Sequence, residues 1–267
     1  MIRATDIRPN LHYLRSTQAA LAATIVVSGT LLFSGMASAA TSASVNASST
    51  SGSGSNTSTT ATKNQQQRVQ NIITKGNAEI ARRLTTLDTL NAKINAATHL
   101  SASDKSTLTS EVSSTTSGLT ALKSTLDADT TITAAHTDAE SIYTEYRVYA
   151  LVAPKVGLVK VADDQQVVQG KLTTLSGKLQ TRITAEQQAG KNVASLQSEL
   201  TDMNNQITSA SKISTNIESS VINLQPSDYN SNHAVLSGDN TQLKTAHTDD
   251  QNAFTDAKSI VSSLKKM

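Results

Sequence analysis

Leu108, Val112, Thr115, Leu119, Leu122 and Leu126 follow one another at alternating intervals of four and three residues. That alternation lines one stripe of an α-helix and marks helices packed side by side at a shallow angle. Aliphatic residues recur at threes and fours along most of the chain: Val69, Ile72, Ile73, Ile80, Leu84, Leu87, Leu90 and Ile94, then Val161, Val168, Leu172, Leu175, Leu179 and Ile183. Leu196, Leu200, Met203, Ile207, Ala210, Ile213, Ile217 and Val221 continue the pattern, as do Leu243, Ala246, Phe254, Ile260 and Leu264. The reading is all-α: an elongated antiparallel bundle or coiled coil of about five long helices, joined by short turns. With 3% aromatic residues and no tryptophan, there is little to fill a wide core. Thin helix-on-helix packing suits such side chains better.

Local signals place the helix ends. Ser101 with Asp104 predicts an N-terminal cap, with Leu100 as its hydrophobic staple. Asp127–Thr133 (DADTTIT) is rich in residues that compete with the helical backbone, so a short break is expected before helix resumes to about Val152. Pro154 is expected to interrupt the helical hydrogen bonding, and Gly157 to weaken it further. Gly190 sits where a helix C-cap is expected, and Pro226 ends another helix, with Ser227 or Asp228 capping the next. Gly170 and Gly177, one heptad apart, predict a stripe of small residues where a neighbour packs closely.

The amino terminus predicts export. Arg3, Arg8 and Arg15 precede the apolar run Ala19–Phe33, and Ala37-Ser38-Ala39 fits a signal-peptidase site with cleavage before Ala40. An uncleaved membrane anchor is the alternative. Residues 40–62 form a Ser/Thr/Gly-rich, low-complexity stretch that reads as a disordered linker, and residues 63–267 form the helical domain. Beyond residue 39 the chain carries twenty basic and twenty acidic residues. Such neutrality removes the electrostatic basis for nucleic-acid binding. There is no cysteine, which excludes disulfides, Cys-ligated metal and a lipid-modified cysteine.

The chain shows no nucleophile elbow, phosphate-binding loop, dinucleotide fingerprint or His-Glu-x-x-His. No catalytic, cofactor or metal residue is therefore expected, and no cofactor. Ala135-His136-Thr137-Asp138 and Ala246-His247-Thr248-Asp249 repeat one word and read as solvated helix faces. One constellation stands apart: Tyr143, Tyr146 and Tyr149, three apart, with Arg147 among them. On a continuous helix they form one slanting ridge. Packing explains it through buried rings with Arg147 lying across them. A partner-binding ridge is the second reading, behind packing, since Tyr and Arg are favoured at hot spots.

Ile142–Val156 (IYTEYRVYALVAPKV) and Leu224–Asn230 (LQPSDYN), within Val69–Leu264, resemble uncharacterised exported helical (coiled-coil-like) proteins of candidate-phyla bacteria, Saccharibacteria among them. The resemblance implies a helical fold and export, and no activity, ligand or catalytic residue. The expected function is that of a non-enzymatic, secreted or cell-envelope scaffold, spacer or adhesion module with a protein or cell-surface partner. Membrane contact is expected only through the signal segment. The alternatives are an amphipathic helical protein that interacts with membrane lipid, and an anchored extracytoplasmic sensory or binding bundle.

Overall fold

The computed structural model describes residues 54–267, with side chains from Ala61 onward. The expected signal peptide, its cleavage site and most of the expected linker lie outside the described residues. The helices pack within the unit Gln66–Met267, into which the first of them continues. In order they are α1 (Gly54–Ala96), α2 (Ala102–Asp127), α3 (Ile132–Thr144), a single π-helical turn (Val148–Val152), α4 (Ala153–Gln188), α5 (Ala194–Val221), α6 (Pro226–Ser231) and α7 (Asp239–Leu264). The described residues contain no strand. The fold is all-α with five long helices, to which α3 adds a sixth and α6 one short turn. Helix α1 begins at Gly54, upstream of Lys63, because extending an existing helix demands far less than starting one. No helix among the described residues is long and apolar enough to cross a membrane.

The ends form as local chemistry dictates. Ser101 Oγ accepts the Asp104 N–H at 3.0 Å, and the N–H of Ser101 goes to Asp163 on α4 at 2.8 Å. Thr131 caps α3 by accepting the Ala134 N–H, after the break expected at 127–133. At the end of α4, Gly190 has φ 81°, its N–H bonds the Gln187 carbonyl, and the Lys191 N–H bonds the Glu186 carbonyl. This is a Schellman closure, which requires a left-handed residue. Gln225, rather than Ser227 or Asp228, precedes Pro226 as the cap of α6, and Asp228 contributes by accepting the Gln225 N–H at 2.7 Å. Along the Thr-rich faces many hydroxyls bond the carbonyl four residues back, as Thr120, Thr174, Thr208 and Thr255 do, which satisfies the hydroxyl without adding to helix stability.

Contacts between helices give their directions. From Gln180–Gln197 through Ser176–Asn204 to Gln169–Ser214, one partner's number falls as the other's rises, so α4 and α5 are antiparallel. Gln165 bonds the Leu243 carbonyl and Gln169 bonds Asp250, both numbers rising together, so α4 and α7 run parallel. Lys155–Glu111 and Asp163–Ser101 make α4 antiparallel to α2.

The buried stripes are strict heptad seams, and several pass through polar positions. On α1 the seam runs Val69, Ile73, Gly76, Ile80, Arg83, Leu87, Leu90, Ile94; on α4 it runs Leu158, Ala162, Gln165, Gln169, Leu172, Ser176, Leu179, Ile183. On α5 it includes Ser214, fully buried, in place of the expected Ile213; on α7 it includes Asp250. Val161 and Val168, expected in the α4 seam, are half-buried beside it. The expected small-residue stripe at Gly170 and Gly177 is also corrected: a Cβ on either would meet nothing within 4 Å. Close approach occurs instead at Gly76, where a Cβ would lie 2.5 Å from Leu126 Cδ2, and at Gly118, where it would lie 2.5 Å from Tyr146 Cε1.

Candidate functional site: the junction around the tyrosines

The helix containing the tyrosines does not run on to Val152. It ends at Thr144, and Arg147 takes a left-handed conformation (φ 43°, ψ 35°), which strains a non-glycine residue by about 1–2 kcal/mol. The chain then enters the π turn, where both Leu151 and Val152 N–H groups bond the Arg147 carbonyl. The π turn runs straight into α4, with Val152 and Ala153 both in helical conformation, so Pro154 stands where the bonding pattern switches from π to α. It lies in the first turn of α4, where its missing N–H leaves nothing unsatisfied.

The strained conformation is held from outside. Arg147 Nε donates to Asn230 Oδ1 at 2.6 Å, and its guanidinium lies 5.2 Å from the centre of the Tyr229 ring. Asn230 Nδ2 in turn donates to the Thr144 carbonyl at 2.9 Å, satisfying one of the free carbonyls at the end of α3. One asparagine thus fastens both sides of the break. Residues 142–156 and 224–230 meet here in space.

The break also disperses the expected ridge. Tyr143 and Tyr149 face outward, 41% and 48% exposed, and Tyr146 turns inward against Gly118. Arg147 lies over Tyr229 and not across the three tyrosines. Their cation comes from α1: the Arg83 guanidinium carbon sits 4.6 Å from the Tyr143 ring centre and 5.0 Å from that of Tyr149. Arg83 is only 5% exposed and is paired with Glu79 at 2.7 Å. Two outward tyrosines are thereby locked on a buried, charge-compensated guanidinium, a cation–π arrangement strengthened by desolvation. Burial, then the nearby Glu79 charge, raises the Tyr143 hydroxyl above its ordinary pKa, with Arg83 and Arg82 opposing.

Beside the break, an open cleft of about 450 Å³ is bounded by Glu111 on α2, Glu145 and Tyr146 at the break, and Gln225 and Pro226 at the start of α6. Behind it Lys155, 0% exposed, bonds both Glu111 oxygens at 2.8 and 2.9 Å and the Leu224 carbonyl. All three ammonium hydrogens are used, so this lysine is a tie between α2, α4 and the turn after α5. Burial raises the Glu111 pKa, and its bond and charge contact with Lys155 only partly reverse this.

Of the sequence-identified residues, Tyr143 and Tyr149 come together, whereas Tyr146 and Arg147 each face a different neighbour. Arg83, Glu111, Lys155 and Asn230 were not singled out by the sequence reading. A signal for Arg83 was present: it continues the α1 heptad from Gly76 and Ile80 to Leu87. Lys155 is the one charge between Arg147 and Lys160. Of the repeated histidine words, His136 is exposed, and His247 is half-buried and bonds Gln251 at 2.9 Å. No group of three or more His, Asp or Glu side chains among the described residues is placed to hold a metal ion. Comparison with protein-family models, curated proteins and solved structures finds no significant match to this chain.

Proposed function

We propose that the protein is an exported, non-enzymatic helical module of the cell envelope or exterior, acting as a scaffold or adhesion element that contacts a protein partner through the Tyr143–Arg83–Tyr149 surface. The observation that supports this reading most is the fixed exposure of two tyrosines on a buried, paired arginine. Large rigid aromatics presented without loss of side-chain freedom are what binding hot spots use. The signal-like leader and the Ser/Thr-rich stretch after it support export, with the stretch serving as a stem.

The test is crosslinking on live cells, with mass-spectrometric identification of captured partners, for the natural chain and for Tyr143→Ala/Tyr149→Ala. The expected result is a defined protein partner whose capture falls at least tenfold in the double variant. Equal capture of the same partner by both would remove this surface from the function. Recovery of the protein from inside the cell would remove export.

A further inference from the structure

We propose that the seam joining α4, α5 and α7 is locked by Asp250 in its acid form and loosens when that carboxyl ionises. Asp250 occupies a heptad seam position and is 4% exposed. Its neighbours form a polar layer across three helices. Gln165 Nε2 donates to the Leu243 carbonyl at 2.8 Å, and Ser214 Oγ is 2.9 Å from Gln165 Oε1. Gln169 Nε2 reaches Ser214 Oγ at 3.1 Å and Asp250 Oδ2 at 3.4 Å. Within this layer two buried oxygens, Gln169 Oε1 and Asp250 Oδ1, have no hydrogen-bond partner.

Both are acceptors as long as Asp250 is ionised, so neither can serve the other, and each carries the penalty of an unmade buried bond. They belong to two side chains that already touch through Gln169 Nε2 and Asp250 Oδ2. A single proton on Oδ1 resolves the mismatch: the acid O–H donates to Gln169 Oε1 while Oδ2 accepts from Nε2, a two-point acid–amide pair.

The surroundings do not favour the anion. From α4 the facing groups are Gln165 and Gln169, and from α5 Ser214, all uncharged. From α7 itself the neighbouring charge is Asp249, of the same sign, which accepts a bond from Ser209. His247, one turn earlier, bonds Gln251, and burial lowers its pKa. Burial foremost, opposed by the Gln169 bond and reinforced by Asp249, pushes Asp250 up from 3.8 to about 7.

The folded chain holds this proton across a range where the unfolded chain has lost it, so the stabilisation is complete below about pH 4 and gone above about pH 7. Each unit of pKa difference is tenfold in the unfolding equilibrium, so ionisation raises that constant by on the order of a hundred- to a thousandfold. Since the layer belongs to three of the long helices, ionisation weakens the docking of α7 against α4 and α5, while the apolar seam residues Leu243, Ala253, Ala257 and Ile260 stay packed.

Urea unfolding of the full chain and of Asp250→Asn, from about pH 4.5 to about pH 8.5, tests this. Asparagine copies the neutral acid, with its amide available to Gln169 Oε1, and cannot ionise. Other acids with raised pKa values act equally in both proteins and cancel in the comparison. The expected result is that the natural chain loses at least a hundredfold against the variant across that range. Parallel pH profiles would overturn the proposal. If Asp250→Asn does not fold, carbon-13 NMR titration of the Asp250 carboxyl in the natural chain decides: a midpoint above about 6 supports the lock, and one below about 5 overturns it.

Discussion

A glycine matters here according to what a methyl group would strike. At Gly76 and Gly118 an added Cβ would fall 2.5 Å from Leu126 and Tyr146, and Leu126 is fully buried. Alanine should therefore destabilise at Gly76 by about 1–3 kcal/mol through overpacking, despite its better helix propensity, and by less at Gly118, where the end of the half-buried Tyr146 ring can shift. At Gly170 and Gly177 there is open space, so alanine should stabilise by about 0.5–1 kcal/mol each. Urea unfolding of the four single variants checks both signs. The sequence alone assigns the wrong pair to the close contact. Gly170 and Gly177 share a face, but periodicity does not say that the face is turned to solvent. Gly76 sits in the α1 seam and Gly118 beside that of α2, each opposite a large side chain, which only the pairing of helices reveals.

Within the elements, the junction before α2 joins helices through acids. Asp163 on α4 is 5% exposed and accepts the Ser101 N–H that begins α2. Burial, with Asp104 and Glu218 adding to it against the Ser101 bond, raises its pKa from 3.8 to about 6. A raised carboxyl stabilises most below its unfolded pKa, and that stabilisation fades as pH climbs from about 4 through 6. Asp163→Asn keeps an acceptor for Ser101, so the variant should gain on the natural chain by about 2–3 kcal/mol between about pH 4 and pH 7. Thermal unfolding at several pH values measures the difference, and a constant offset would refute the assignment. The caps at Ser101 and Gly190 and the break after Asp127 were legible because each rests on neighbours in sequence. The left-handed turn at Arg147 was not, since it is held by Asn230 from 83 residues away. The inward turn of Tyr146 follows from that same break.

Across residues 66–267, heptad seams of Leu, Ile, Val and Ala hold long helices together with few aromatics. Polar residues sit at seam positions in register: Arg83 beneath the tyrosines, and Gln165, Gln169, Ser214 and Asp250 in a single layer. A buried polar layer matches only its own counterpart, so it fixes register at some expense of stability. The helical class was legible from aliphatic spacing alone. The layer was hidden because the aliphatic spacing runs through Val168 and Ile213, one position away from Gln169 and Ser214, which occupy the seam. Residue-resolved amide hydrogen exchange on the full chain, at about pH 5, tests the seam account most directly. The slowest amides should surround Leu87, Leu119, Leu172, Met203 and Ile260, with protection lost at 128–131 and at 145–147. Uniform exchange within minutes, or the strongest protection outside the five long helices, would contradict it.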